Sequence, residues 1–317
     1  MFNKQYSFIN VLKSLPCGEV GGVKTVKHLT INHKNQNNHP NHSSDNPIIG
    51  IDIGGTNIRA GIVMNGNIQT LKSEPLQTKE NVLNQLFGFI DEMMNKEVAA
   101  IGVAVPGLVD AQNSVLHDVV NIPAWQEIDL EKILEERYRL PVKIENDANC
   151  FALGELYFGG AQNYHSAIGL TIGTGLGAGI IIDKKLISGK HGGAGEFGMM
   201  KYLDKNIEYY VSGNFFQNIY KLNGETVYAR ALQGNEDALK MYETFGQHLG
   251  EAIKMMLYAL DVECFIIGGS VKNAFPFFSK AMWETLYSFE YKRALQHLKI
   301  EPSQLINSNI LGVAALH

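Results

Sequence analysis

Two glycine turns and one carboxylate are the groups in this chain whose types and spacing could do chemistry. In GIDIGGTN, Asp52 stands two residues before Gly54-Gly55-Thr56. Glycines remove side chains there, so backbone N–H groups can face an anion. Thr56 and Asn57 add hydrogen-bonding side chains. Asp52 is placed to hold Mg²⁺ beside bound phosphates, directly or through water. A plain hairpin with a buried cap is the competing reading.

The second turn lies in LTIGTGLGAG, with Thr171, Gly173, Thr174 and Gly175. Gly173, Gly175 and Ala178 fit G-x-G-x-x-G/A, the dinucleotide fingerprint. That fingerprint needs a helix next, so that pyrophosphate meets a helix N-terminus. Here Ile180, Ile181 and Ile182 follow, then Asp183-Lys184, which predicts a strand and a turn. A nicotinamide enzyme is therefore disfavoured, and a hairpin turn for β- and γ-phosphates fits better. No G-x-x-x-x-G-K-[ST] loop occurs.

The carboxylate is Asp147, which with Asn146 ends an apolar strand. Catalytic carboxylates tend to sit at such ends in open α/β sheets. Alone, Asp147 reads as a helix cap or as the base that takes a proton from a phosphoryl acceptor. Gly268-Gly269-Ser270 closes another strand and reads equally as a strand-to-helix turn or as a surface for a flat ring.

Elements to position these groups are legible along the chain. Residues 48–68 read as strand, glycine turn, strand, and a second turn at Asn65-Gly66. Leu83, Leu86, Phe87, Ile90 and Met94 predict a helix over 80–94. A short apolar strand ends at Pro106-Gly107. Asp129 is placed to cap a helix to about residue 138. PVKIENDAN predicts a strand running into a polar turn, followed by a helix from Cys150. From residue 165 the strand–turn–strand layout starts again. Ile, Gly, Ile and Gly recur at 49/168, 50/169, 53/172 and 54/173, a constant offset of 119, which suggests two related lobes. Tyr242, Phe245, Leu249, Ile253, Met256 and Leu260 stripe one long helix, and residues 303–316 predict a last one.

Bulk properties narrow the class. With 317 residues and 45% hydrophobic content, the chain suits two lobes. A net charge of −5 does not attract nucleic acid or anionic membrane. The three cysteines, 17, 150 and 264, lie far apart and suggest reduced thiols without a disulfide framework or metal pair. No run reaches the ~18 apolar residues of a membrane span. The N-terminal apolar stretch is interrupted by Asn10 and Lys13, which disfavours a secretory signal and favours the cytoplasm. Residues 1–47 read as a disordered extension, because 32–47 are almost wholly polar. Its histidines (28, 33, 39 and 42) could also read as a metal tract.

In combination, GIDIGGTN, GVAVPGLVD, NIPAW, ENDANCFALGE, LTIGTGLGAG, GGAGEFG and FIIGGS, in this order, resemble the ROK family of sugar kinases and repressors. The resemblance runs from about residue 48 to the end. It implies an α/β protein of ribonuclease H-like (actin/hexokinase-like) fold, with two related lobes around a cleft: 48–164 and 165–302, with 303–317 returning to the first. It implies ATP and Mg²⁺ as cofactors, a sugar as substrate, O6 as the hydroxyl phosphorylated, and a homodimer. Asp147 would be the general base. Asn146, Gly107, Asn121, Glu196 and Glu208 would line the sugar pocket. The turns at 54–56 and 173–175 would bind phosphates, and Gly268, Gly269 and Ser270 would border adenosine.

Two departures from the family pattern stand out. Met199 occupies the histidine position of G-E-x-G-H, and the cysteine-rich hairpin expected nearby reads KYLDKNIEYYVSG. Met is a poor Zn²⁺ ligand, and thiolates are absent, so no zinc site is expected. Two other functions compete with the kinase: a catalytically silent sugar-binding protein, and a repressor, which would need a helix-turn-helix upstream of residue 48.

Overall fold

The computed structural model describes residues 46–77, 81–110, 115–117, 119, 122, 125 and 127–317. The extension over 1–45, with its histidines and Cys17, lies outside the described residues, as does the segment on which a repressor reading depends.

In chain order the strands are β1 (Ile48–Ile53), β2 (Asn57–Met64), β3 (Asn67–Pro75), β4 (Ala100–Val105), β5 (Leu108–Val109), β6 (Leu116–His117), β7 (Glu127–Ile128), β8 (Val142–Asn146), β9 (Ala167–Ile172), β10 (Leu176–Ile182), β11 (Lys185–Leu186), β12 (Lys201–Tyr202), β13 (Lys205–Asn206), β14 (Cys264–Gly268) and β15 (Lys299–Pro302). The helices are α1 (Val82–Met93), α2 (Leu130–Tyr138), α3 (Asp147–Phe158), α4 (Ile207–Tyr210), α5 (Gly224–Leu232), α6 (Glu236–Leu260), α7 (Phe275–Leu286), α8 (Lys292–His297) and α9 (Ser308–Ala314).

Two five-stranded sheets carry the molecule, in the orders β3-β2-β1-β4-β8 and β11-β10-β9-β14-β15. Their pairing is the same. The first hairpin is antiparallel in each (β1 with β2, β9 with β10), and β4 and β14 then add in parallel on the other side. The repeat at offset 119 is thus a repeat of topology, and the two-lobed α/β expectation holds. β1 and β4 are buried along their whole length, which is why they read as continuous apolar runs.

α3 and α9 fill the space between the sheets, and each crosses over. α3 follows β8 of the first sheet and packs on β9 and β10 of the second. α9 follows β15 of the second sheet and packs on β1 and β4 of the first. Close approach needs bare backbone at the contacts. A Cβ on Gly154 would lie 2.2 Å from the Ser308 carbonyl oxygen, and one on Gly312 1.8 Å from that of Cys150. Gly50 and Gly102 admit α9 in the same way, and Gly268 admits the Phe151 ring of α3.

Local signals explain most boundaries. The Asp129 carboxylate accepts the Lys132 N–H at the start of α2. The α6 stripe is buried from Tyr242 to Met256. Three expectations change. α3 starts at Asp147, not at Cys150, because Asn146 accepts the Ala148 and Asn149 N–H groups and turns the polar stretch into a first helical turn. The last helix starts at Ser308, because residues 299–302 are spent as β15 and Asn307 takes a left-handed conformation with φ 60°. The short sheet of β5, β6 and β7 had no sequence signal strong enough to read.

Among the described residues no helix is long and apolar enough to cross a membrane.

The crossing sets a stability test. Gly154→Val and Gly312→Val should each destabilise by roughly 3 kcal/mol or more in denaturant unfolding, since backbone must move. Gly88→Ala, in α1 with nothing within 4 Å of the added methyl, should instead stabilise by up to ~1 kcal/mol.

Candidate active site

The first glycine turn joins β1 to β2. The Gly54 N–H donates to the Asn57 carbonyl at 2.9 Å, and Asn57 Nδ2 donates to Thr56 Oγ1 at 3.0 Å. The N–H groups of Gly55 and Thr56 donate to no described residue. Among the described residues the turn therefore leaves two donors without an acceptor.

Asp52 sits at the buried end of β1, 8% exposed. Its Oδ1 accepts from Asn309 Nδ2 of α9 at 3.1 Å, and Arg59 Nη1 lies 3.8 Å from Oδ2. Burial pushes its pKa up, while Asn309 and then Arg59 pull it back.

The second turn joins β9 to β10. The Gly173 N–H donates across it to the Gly175 carbonyl at 3.0 Å, and those of Thr174 and Gly175 donate to no described residue. Thr171 lies opposite Gly177, where a Cβ would come within 2.7 Å of Thr171 Oγ1. β14 pairs Gly268 with Thr171, so Gly268, Gly269 and Ser270 adjoin this turn. Gly269 has φ 76°, and a Cβ there would strike the Ile172 carbonyl oxygen at 2.3 Å. Only glycine suits that position.

Asp147 opens α3, which aims its N-terminus at the site. Its Oδ1 accepts the Ala148 N–H at 2.8 Å. Burial, most of all, and then the charge of Asp52 push its pKa up to about 7. The N–H groups of Ala148 and Asp147 resist, and Glu196 adds to the rise. Asp52 of the first sheet and Glu196, in the loop between β11 and β12, therefore both act electrostatically on Asp147. A carboxyl titrating near neutrality is suited to proton transfer.

Asn146 caps α3, and its Nδ2 donates to the Gly107 carbonyl at 3.1 Å, so two expected pocket residues touch. Glu196 follows Gly195, whose φ of 97° turns the loop sharply. Burial and then the charge of Glu208 raise the Glu196 pKa. Glu208 lies at the start of α4, and its Oε2 accepts the Leu176 N–H at 2.9 Å. Asn121 lies outside the described residues.

Sequence reasoning missed two supporting residues. Asn309 reaches Asp52 across 257 positions of sequence, with no local pattern to reveal it. Glu145 accepts from Asn149 Nδ2 at 3.0 Å and, through its other oxygen, from Ser188 Oγ at 3.1 Å. ENDAN held that residue in view, but its partner was invisible. Cys150 is no nucleophile: burial, and then Glu145, Asp147 and Asp52, hold its thiol protonated.

The donors fit a nucleotide and a hard cation. Unpaired N–H groups on both turns suit phosphate oxygens, and the carboxylate of Asp52 suits Mg²⁺, which takes few protein ligands. The hairpin around position 199 is held by side-chain contacts. Tyr202 Oη meets His248 Nδ1 at 3.0 Å, the Tyr210 hydroxyl donates to Asp204, and the Tyr202 and Tyr210 rings meet edge-on at 5.4 Å. Met199 is exposed. Among the described residues no three His, Cys, Asp or Glu side chains assemble to hold a metal.

Comparison with known proteins matches residues 48–317 to the model of the ROK family. A glucokinase of Streptomyces coelicolor is 31% identical over 261 residues, spanning 71% of this chain and 82% of the relative. An N-acetyl-D-glucosamine kinase of Haemophilus influenzae is 32% identical over 257 residues, spanning 71% and 84%. The crystal structure of a ROK family glucokinase from Streptomyces griseus, in complex with glucose and AMPPNP, superposes with a TM-score of 0.74 at 27% identity. That match covers 85% of this chain and 98% of the other.

The raised pKa of Asp147 has a consequence for stability. A carboxyl whose folded value exceeds its unfolded one binds its proton more tightly when folded. Stability is then fullest below the ordinary value of 3.8 and falls as pH rises through about 7. Asp147→Asn should melt higher than wild type at pH 8, and the gap should close toward pH 4. Equal melting temperatures at pH 8 would contradict the shift.

Proposed function

The chain belongs to the ROK family and is a sugar kinase of it, and we propose that it moves the γ-phosphoryl group of Mg-ATP to a hexose or amino-sugar hydroxyl, O6, with Asp147 as general base. The observation that carries this reading is a buried carboxyl of pKa about 7 that feels both Asp52 at the first glycine turn and Glu196.

Asp147 takes the hydroxyl proton as the sugar oxygen bonds to the γ-phosphorus. The bond from that phosphorus to the bridging oxygen of ADP breaks, and ADP carries the electron pair away. Little else is asked of the protein than position and charge. The N–H groups of Gly55, Thr56, Thr174 and Gly175 receive phosphate oxygens, with Gly54, Asn57, Thr171 and Gly173 shaping the two turns. Asp52 would hold Mg²⁺, directly or through water, and the ion would supply positive charge beside the phosphates. Gly268, Gly269 and Ser270 border adenosine.

On the sugar side, Asn146, Gly107, Glu196 and Glu208 line the pocket, and the family likeness adds Asn121. Residues 48–164 and 165–302 form the lobes, and residues 303–317 return to the first. Glucokinase and N-acetylglucosamine kinase relatives support a hexose or its N-acetylated amine as acceptor. Met199 in place of the expected histidine leaves one fewer donor there, which argues against carrying over the preference of any single relative.

The test is ADP release with Mg-ATP against a panel containing glucose, mannose, N-acetylglucosamine and N-acetylmannosamine. Turnover is expected on at least one sugar, and Asp147→Asn should lower kcat by roughly 10²–10⁴. Absence of turnover on every sugar, with sugar binding intact, would contradict the proposal. The pH profile gives a second readout. Activity should rise with pH through about 7 and then level, because the base must be charged. Glu196→Gln should move that limb to lower pH, since one repelling charge is gone.

A further inference from the structure

We infer that Glu208 is a positioning residue. Its carboxylate holds the second glycine turn in the shape that receives phosphate and links that turn to the sugar side of the site. The inference rests on the kinase reading and gives one residue of that site a second task.

The turn at 173–175 has one hydrogen bond of its own, from the Gly173 N–H to the Gly175 carbonyl. Glycine backbone loses much freedom on ordering, and two of these three residues are glycine. Further rigidity is supplied from outside by one stretch of chain, residues 208–214. Glu208 Oε2 accepts the Leu176 N–H at 2.9 Å. The Gly213 N–H donates to the Gly173 carbonyl at 2.6 Å, and Asn214 Nδ2 to the Thr174 carbonyl at 2.8 Å. Two ties thus hold carbonyls of the turn, and the third holds Leu176, the residue that follows it. The two N–H groups left over, on Thr174 and Gly175, are those assigned to phosphate.

The fit at Gly175 is tight. A Cβ there would lie 2.7 Å from Glu208 Oε2, so the carboxylate presses on the turn itself. A negative charge so near a phosphate site is tolerable only when it is engaged elsewhere, and Leu176 engages it. Glu208 Oε1 accepts from no described residue. That oxygen is free for a donor such as a sugar hydroxyl, and Glu208 is also the charge that acts on Glu196. One carboxylate therefore faces both substrates.

The two tasks separate by substitution. In Glu208→Gln the side-chain carbonyl can still accept the Leu176 N–H, whereas Glu208→Ala removes the tie. Binding of the β,γ-imido analogue of ATP with Mg²⁺ is measured by calorimetry in sugar-free protein, where a sugar ligand alone would have no influence. Glu208→Ala should weaken it about tenfold, the size expected for one charged hydrogen bond. Glu208→Gln should stay within about twofold for the analogue while its KM for sugar rises. Asn214→Ala, at an exposed position, should weaken the analogue in the same direction and carries the test if Glu208→Ala fails to fold.

Wild-type affinity in Glu208→Ala, with only the sugar KM raised, would overturn the inference and leave the kinase reading standing. So would equal losses of analogue binding in the Gln and Ala variants. Wild-type protein that binds no analogue would overturn the kinase reading, and this inference with it.

Discussion

Close helix crossing without side chains is the constraint on which the rest of this molecule depends. α3 and α9 lie between two sheets, and each comes from the opposite half of the chain. They meet where Gly154 faces Ser308 and Gly312 faces Cys150, at distances that no methyl group would permit. The crossing determines the site. It sets the N-terminus of α3, and with it Asp147, near the end of β1 that carries Asp52. It also brings Asn309 of α9 onto the Asp52 carboxylate. Buried Glu155 of α3 locks the same junction by accepting the Ser308 hydroxyl at 2.9 Å and the Gly160 N–H at 3.0 Å. A larger residue at the crossing would shift both carboxylates at once.

That packing creates the electrostatics. Asp147 is displaced from the ordinary carboxyl range mainly because water is kept away, and next because Asp52 is near. Asp52 itself stays manageable through Asn309 and Arg59. The fold thus keeps at its centre a carboxyl that would be more comfortable protonated. Such strain is typical of functional positions, where stability is given up for reactivity. Among the described residues both glycine turns likewise leave N–H groups without an acceptor.

Sequence made the parts visible where their signals were local. The two glycine turns, the strand after the second one, the Asp129 cap and the α6 stripe are short-range patterns, and they appear in the structure as read. The duplicated topology was legible from four identities at one offset. Long-range partners were not. Asn309 and Glu145 act through residues far away in sequence, and glycines 154 and 312 look like weak points of a helix until the crossing helix is seen. Residues 303–307 were expected in the last helix, although the left-handed Asn307 delays its start to Ser308. Glu208 entered through family likeness as a sugar ligand, while its tie to Leu176 depends on a hairpin folding back. The expected departure around Glu196 rests on residues plain in the sequence, Met199 and a hairpin without cysteine.

What links these observations is a carboxyl tuned to neutrality by burial. The most direct measurement is a carbon-13 NMR titration of aspartate side-chain carboxyls, with Asp147 assigned by the signal lost in Asp147→Asn. The expected result is a midpoint near 7 for Asp147, moving down when Asp52 is replaced by Asn. A midpoint in the ordinary range near 4, unaffected by Asp52, would contradict the tuning and with it the role of Asp147 as base.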